Sequence, residues 1–328
     1  MNLNDNVMSC CCMDPNVARN LSHNTISVPM MEAITPRWLL HFLPWVSVEA
    51  GIYRLNHIKR NYEADFDLNE NPEYLPRVGI GDLKGLDIPQ SFPDYEEVPK
   101  DFTLSTVQTI LKTNTHVTDI FNSPINQKDE EMRLTIEAMK ERQEWEIINN
   151  DKFGLVQSVA PRMRVTSRYG VPTPDDFDEL LSRVWKKPAF FLAHPRAIAA
   201  FGRECTRRGV PPVAINIFGS PFITWRGVPI VPCDKLLVDG KSYNLSSTGK
   251  TNILLMRVGE REQGVIGLHQ PGIPDEGMIP SLSVKFAGID NLGVASYMLS
   301  LYFGTAVLAD DSLGMLENVE VGYYYDYA

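Results

Sequence analysis

The amino-acid sequence predicts an α+β protein organised around one long helix. Three observations lead to this fold class: a helical stretch at 123–150, an acidic stretch with several prolines at 61–100, and alternating helix and strand patterns that start at Pro172. A chain of 328 residues corresponds to about two domains. With 44% hydrophobic and 22% charged residues, the composition is that of an ordinary folded protein with a sizeable core.

Residues 1–30 are polar and show no sustained hydrophobic period, so we expect an arm rather than a packed element. The first residues contain neither a basic segment nor an apolar run, which favours a cytoplasmic protein. The adjacent Cys10, Cys11 and Cys12 match no disulfide framework and no CxxC metal pattern. Because consecutive side chains point in different directions, we expect reduced thiols here.

An aromatic segment follows the arm. Thr35–Pro36 predicts the capped start of a short helix that ends before Pro44, and residues 48–58 predict a strand. The segment carries more large rings than an arm in water would carry. The rings belong to Trp38, Phe42 and Trp45. They either fold onto the chain's own core or anchor onto a neighbouring subunit.

The stretch from Asn61 to Asp101 contains eleven acidic and three basic residues. Its prolines and glycines predict an extended loop or a long hairpin. Residues 151–208 have the opposite balance, with eleven basic and six acidic residues. Two interpretations are open: two solvated faces, or head-to-tail charge complementarity between copies of the chain.

The long helix is predicted from Ser123 to Asn150. Ser123 caps free N–H groups, and Pro124 has a preset φ and no donor to leave unpaired. A helix of this length spans on the order of 40 Å, so we expect it to be packed from both sides, with a second subunit or a C-terminal helix on one of them. Its apolar side chains form two faces, one with Met132, Ile136, Met139 and Ile147, the other with Leu134, Ala138, Trp145 and Ile148.

The same patterns predict the remaining elements. Strands are expected at 102–111, 156–165, 189–193, 251–259 and 282–286, and a hairpin at 223–233. Helices are expected at 173–184, 195–208 and 294–308, the second of them ending at Gly209. Residues 209–220 are predicted to be a loop.

No catalytic, metal or cofactor site is predicted. The six histidines show no metal-ligand spacing, and His194 pairs with Asp178 as acid and base only if the fold brings them together. The glycines at 79–85 and the segment 244–251 depart from the dinucleotide and phosphate-loop patterns. A net charge of −10 argues against nucleic acid as a partner, and no apolar run is long enough to predict a membrane span.

Three long phrases carry a resemblance to a known family. TPRWLLHFLPWVSVEAGIYRLNHIK (35–59), ERQEWEIINN (141–150) and DDSLGMLENV (310–319) resemble the family 2 encapsulin shell proteins. The order of the predicted elements is similar to the capsid fold of the Hong Kong 97 phage type. Since no cyclic-nucleotide-binding insertion of about a hundred residues separates these phrases, the chain resembles the 2A branch.

This resemblance implies a division of the chain. Residues 1–50 would be the N-terminal arm and 51–100 the extended loop (E-loop). Residues 101–165 and 281–328 would form the peripheral (P) domain, with the long helix as its spine, and 166–280 the axial (A) domain.

The resemblance also implies a function. The chain would be a structural shell protein without enzymatic activity, and about 60 copies would form an icosahedral T=1 shell. The shell would enclose a cargo enzyme, a cysteine desulfurase, in sulfur metabolism or storage. The aromatic anchor would then clamp a neighbouring subunit, and the 209–220 loop would be either a pore loop or an ordinary surface loop, with pore candidates Gly209, Asn216, Gly219 and Ser220.

Two alternatives are a phage or prophage major capsid protein that packages DNA, and an α/β enzyme without a recognisable site. The acidic balance and the length of the matching phrases argue against the first. The missing catalytic pattern argues against the second.

Overall fold

The structure is a computed structural model, and it describes residues 35–49, 51–57, 95–113, 127–239, 249–271, 282–291 and 293–322. The predicted arm, the cysteine triplet, most of the acidic stretch and the expected helix start at Ser123 lie outside these ranges.

In chain order the strands are β1 (Trp45–Ser47), β2 (Ile52–Leu55), β3 (Lys100–Thr103), β4 (Ser105–Thr113), β5 (Arg164–Thr166), β6 (Phe190–Ala193), β7 (Val213–Ile217), β8 (Ser220–Trp225), β9 (Val228–Pro232), β10 (Lys250–Met256), β11 (Val265–His269), β12 (Leu282–Ile289), β13 (Ala295–Val307) and β14 (Leu313–Glu320). The α-helices are α1 (Trp38–Phe42), α2 (Gln127–Asn149), α3 (Leu155–Ser158), α4 (Pro174–Arg183) and α5 (Pro195–Arg207). Short 3₁₀ turns lie at Pro161–Met163 and Asp310–Ser312.

The strands form two large sheets and one ribbon. The five-stranded sheet has the order β1-β11-β13-β12, and β4 also pairs with β13. The seven-stranded sheet has the order β5-β14-β10-β6-β9-β8-β7. The ribbon consists of β2 and β3, with Ile52 opposite Thr103. The ribbon pairs segments on either side of most of the acidic stretch, and the extended loop or long hairpin expected there stays a prediction.

The prediction of a helix at 294–308 was wrong, because these residues form the long strand β13. A short apolar run does not distinguish a buried strand from a buried helix. The strand pairs antiparallel with β4, β11 and β12, and it is buried from Leu299 to Leu301 and again from Phe303 onward. Besides its ladder partners, β13 contacts α2 and β3, which lie outside its sheet, so the strand is apolar on more than one face.

The prediction of a strand at 156–165 was also wrong. These residues form α3 and a 3₁₀ turn, and only the last two of them, Arg164 and Val165, belong to β5. Pro161 lacks an N–H for a sheet ladder. The Arg164 guanidinium donates to the carbonyl oxygens of Val159 at 3.3 Å and Val156 at 3.5 Å, so a side chain replaces strand partners there.

Two further predictions need correction. Of the strand expected at 48–58, only Ile52–Leu55 (β2) is a strand. Gly51, with φ at 71°, precedes it, and β1 ends before the predicted range and lies in a different sheet. The loop expected at 209–220 contains β7 and the turn into β8. Its glycines and prolines lie at the ends of β7 and leave an uninterrupted β-type sequence, VAINI, between them.

The other predicted elements are confirmed. Helix α4 begins with a capping box between Thr173 and Asp176, and α5 ends before Gly209, whose φ is 71°. The strands β6, β10 and β12, the strand region at 102–111 and the β8–β9 hairpin also lie where the sequence predicts them.

The long helix α2 is confirmed from Gln127 onward, and it packs on β4 and β13. Its first predicted face supplies buried Met139 and Ile147. The second face is covered only near its end, where Ile148 is buried, because Leu134 remains 39% exposed. Within the described residues, packing from both sides therefore applies only to the last turns of the helix.

The predicted division into domains stays a prediction, and strand pairing crosses its boundaries. β11 belongs to the segment 166–280 but pairs with β13. β14 belongs to the segment 281–328 but lies between β5 and β10 in the seven-stranded sheet.

Candidate assembly surfaces

The rings of α1 pack against the same chain. The Trp38 ring stacks on Phe218, with centroids 6.4 Å apart and an interplanar angle of 13°, and meets Phe222 edge-on at 5.1 Å. Phe42 lies 5.2 Å from the Phe190 ring and 5.6 Å from that of Phe218. Of the two interpretations open from the sequence, the described residues show own-chain packing. Contact of these rings with a neighbouring subunit stays a prediction, and it would involve the parts of the half-buried rings that remain accessible.

Trp45 is fixed by a different set of contacts. Its indole N–H donates to the carbonyl oxygen of Leu40 at 3.0 Å, and its ring meets His269 edge-on at 6.4 Å. The ring also lies directly over Gly267, where an added Cβ would come within 2.7 Å of it. This close approach explains why a glycine stands in β11 at this position.

Polar contacts attach the start of α1 to α2. The predicted Thr35 cap is wrong: Arg37 is the N-cap residue, with φ at 45° and no capping side chain. The Thr35 hydroxyl donates instead to Glu141, to which the Arg37 guanidinium also donates at 3.2 Å. Arg37 forms a second ion pair with Glu137, and Lys235 lies 2.6 Å from Glu141. The Glu141 carboxylate of α2 thus joins the start of α1 to Lys235 in the segment that follows β9.

The buried carboxyl of Glu144 lies next to this cluster and is only 2% exposed. Burial raises its pKa to about 7, and the negative charges of Glu141 and Asp234 act in the same direction. Lys235 and the backbone N–H of Leu39 oppose the rise. The group is therefore close to half-ionised near neutral pH.

Glu144, Cys233 and Asp234 each place one potential ligand atom within 4.8 Å of the others. Burial raises the pKa of the Cys233 thiol, which disfavours the thiolate that a metal requires. The Lys235 ammonium group already lies 2.7 Å from the Asp234 carboxylate and supplies a positive charge there. We therefore assign these residues to the contact between α2 and the segment after β9, and not to a metal site.

The pore candidates do not lie on one loop. Gly209 follows α5, the exposed Asn216 lies on β7, Gly219 is in the turn after Phe218, and Ser220 begins β8. The five-residue strand β7, about 16 Å long at about 3.3 Å per residue, lies between Gly209 and Gly219 along the chain. Pore lining by these four residues stays a prediction.

His194 and Asp178 have separate partners. The His194 Nδ1 accepts the backbone N–H of Arg196 at 3.1 Å and so caps α5. The Asp178 carboxylate accepts the Trp225 indole N–H at 2.7 Å and pairs with the Arg226 guanidinium at 3.0 Å. The fold gives both residues structural contacts and does not pair them as acid and base.

Most of the basic residues between 151 and 208 have acidic partners in the same chain. Eight of the eleven form ion pairs within the described residues: Arg162, Arg164, Arg168, Arg183, Lys186, Lys187, Arg207 and Arg208. Internal pairing therefore reduces the charge available for the head-to-tail complementarity considered from the sequence.

Sequence reasoning missed the contact between α1 and the β7–β8 hairpin. It joins Trp38 to Phe218 across 180 positions, and no short motif marks either partner. The only local signal was the apolar character of both segments. The predicted anchor and part of the predicted pore region are consequently one continuous surface.

This arrangement, a long helix on one sheet, a second mixed sheet and a hairpin ribbon, is that of a capsid-type fold. The fold is similar to the capsid of a native GTA particle, with a TM-score of 0.56 and 11% identity over 88% of this chain and 91% of that one. It is also similar to Microbacterium phage Oxtober96, with a TM-score of 0.54 and 12% identity over 85% and 90% of the two chains. These likenesses show the fold of the Hong Kong 97 phage type.

The chain belongs to the type 2A encapsulin shell family. The SrpI-like model of that family matches residues 63–323. The type 2A encapsulin shell protein SrpI of Synechococcus elongatus is 50% identical over 94% of each chain, and the corresponding Mycobacterium leprae protein is 46% identical over 94% of this chain and 95% of that one. The holo-SrpI encapsulin complex of S. elongatus PCC 7942 has a TM-score of 0.77 and 47% identity over 100% of both chains.

The chain is accordingly a structural shell protein of an encapsulin nanocompartment, and its family is not an enzyme family. It assembles with copies of itself into a shell. Among the helices in the part of the chain that the structure describes, none has the length and apolar character needed to cross a membrane.

Proposed function

We propose that about 60 copies of this chain form a closed T=1 icosahedral shell in the cytoplasm. The shell encloses a cysteine desulfurase and serves sulfur metabolism or storage. The observation that carries the proposal is the match to type 2A shell proteins at 44–50% identity over 94% of the chain. At that identity and coverage, the shell size and the class of cargo are the properties we expect to be shared.

The ribbon supports a role for the extended loop between subunits. Its strand β2 is held to the body of the chain by Tyr53, whose hydroxyl donates to Glu260 at 2.9 Å. Burial and the neighbouring Glu260 carboxylate raise the pKa of Tyr53 to about 12, so this donor keeps its proton across the physiological range. The base of the proposed extended loop is therefore fixed on the body of the chain.

The helix α1 supports a similar role for the arm. Its start, which follows residues 1–34 in the chain, is fixed on α2 by Arg37 and Thr35. We propose that the arm continues from there onto a neighbouring subunit, and that Trp38, Phe42 and Trp45 hold its base.

The test is purification of the complex from its native cells, followed by electron microscopy and mass spectrometry. Hollow shells of uniform diameter that contain a cysteine desulfurase are expected. Monomers or dimers at every protein concentration would refute the shell, and shells filled with DNA would favour the phage capsid alternative. A different co-purified enzyme would refute the cargo assignment and leave the shell intact.

The anchor is tested by the double variant Trp38→Ala and Trp45→Ala. We expect folded subunits that assemble at least tenfold less efficiently, because both rings fix the base of the arm. Leu134→Ala, which truncates an apolar side chain that is 39% exposed, is the control. Shells formed by the double variant in normal yield would contradict the clamp.

A further inference from the structure

The strand β7 is the last strand of the seven-stranded sheet. All five of its residues pair with β8, from Val213 opposite Thr224 to Ile217 opposite Ser220. Within the described residues no strand lies on its other side. The backbone groups that point outward from this edge therefore have no ladder partner there.

The side chains of β7 are also uncovered. Val213 is 69% exposed and Ile215 is 37% exposed. Residues directly opposite each other in a ladder share a face, so these two lie on the same face as the buried Thr224 and Phe222. The apolar layer that α1 covers at Phe222 thus continues along β7 without a cover.

The turn extends this uncovered layer. Phe218 is 69% exposed although its ring contacts both Trp38 and Phe42. We use the term β7 surface for Val213, Ile215, Phe218 and the outer backbone edge of β7. It combines an open edge with three exposed apolar side chains, and both features favour association.

Two other edge strands, β5 and β12, carry features that hinder pairing, whereas β7 carries none of these features. At the opposite edge of the same sheet, the Arg183 guanidinium binds the carbonyl oxygen of Arg164 in β5 at 3.2 Å. The edge strand β12 carries Lys285 and has a register shift before Gly288. Residues 213–217 contain no charged residue and no proline, and their pairing with β8 has no register shift. Free edges in soluble proteins normally have such protection.

We propose that a neighbouring copy of this chain covers the β7 surface in the assembled shell. The inference rests on the proposed function, since it requires a closed shell. A second copy is the occupant that the observations favour, because the chain self-assembles and because an uncharged, apolar edge offers nothing to select an oppositely charged partner. In a shell the contact repeats at every equivalent subunit pair, so a small patch contributes many times.

Hydrogen exchange on the unmodified protein tests the proposal. Exchange of the amides at 213–217 is measured in empty shells and in subunits dissociated by dilution. We expect at least tenfold slower exchange in the shells, because the neighbour covers the edge. Equal rates in both states would overturn the inference while leaving the shell in place. If exchange at 213–217 is slower only in shells that contain cargo, the β7 surface contacts cargo, and the inference is overturned.

A matched pair of variants gives a second test. Val213→Lys places a charge on the β7 surface, and Ile289→Lys places one at an equally exposed position of β12, with exposures of 69% and 68%. We expect Val213→Lys to raise the protein concentration needed for shell formation at least tenfold and Ile289→Lys to leave it within twofold. Equal assembly of Val213→Lys and wild type would overturn the inference. If Val213→Lys does not fold, the exchange measurement decides alone. Failure of the wild type to form shells would instead refute the proposed function.

Discussion

Replacement of Glu144 by glutamine should change how the stability of the subunit depends on pH. The carboxyl lies beneath α1, where burial raises its pKa from 4.5 to about 7. Below pH 4.5 the group is protonated in both the folded and the unfolded chain and contributes no pH dependence. Between pH 4.5 and about 7 only the folded chain holds the proton, so the free energy of unfolding decreases as pH rises.

The size of the effect follows from the two pKa values. Between pH 5 and pH 8 the wild type should lose about 2 to 3 kcal/mol of unfolding free energy through this group, since one pKa unit corresponds to about 1.4 kcal/mol. Glutamine keeps a similar shape and an acceptor for the backbone N–H of Leu39, and it does not titrate. The stability of Glu144→Gln relative to wild type should therefore rise by the same amount over this pH range.

The assay is urea denaturation of dissociated subunits at pH 5, 6, 7 and 8, followed by tryptophan fluorescence. The comparison uses the pH slope of the difference between variant and wild type, so any constant effect of the substitution cancels. Glu49→Gln removes a carboxylate from an exposed position and is the matched control. A slope for Glu144→Gln no larger than that of Glu49→Gln would refute the reasoning.

Three further predictions concern stability, each measured by urea denaturation of dissociated subunits. Gly267→Ala should lower the free energy of unfolding by about 1 to 3 kcal/mol, because the new methyl group would lie 2.7 Å from the Trp45 ring. An unchanged urea midpoint would show that the ring moves freely. Asp311→Ala should lower the free energy of unfolding by about 3 kcal/mol or more, because Arg257, which is 3% exposed, would lose its carboxylate partner at 2.8 Å. A loss below about 1 kcal/mol would contradict a buried ion pair. Thr173→Ala should lower the free energy of unfolding by about 1 kcal/mol through loss of the capping box of α4, whereas Ser182→Ala in the last turn of that helix should have a smaller effect.

Local signals in the sequence were sufficient for the ends of α4 and α5, although the same kind of signal at Thr35 was wrong for α1. Helix α4 begins at Pro174 after its cap Thr173, and α5 ends just before Gly209, as the sequence predicts, because each signal acts on backbone groups within one turn. The same holds for α2, whose charges and apolar positions repeat over many turns. The long phrases were sufficient for the family, and the family in turn supplied the capsid-type fold.

Only the tertiary structure decided the identity of the 294–308 segment and the partners of the aromatic rings. A run such as that in β13 is apolar on all sides in either a buried strand or a buried helix, so its neighbours β4, β11 and β12 determine which one forms. Trp38 is apolar wherever it packs, and its contact with Phe218 depends on how distant segments meet. The pKa of Glu144 is likewise set by burial and by Lys235, which lies 91 positions away along the chain, so no local pattern contains it.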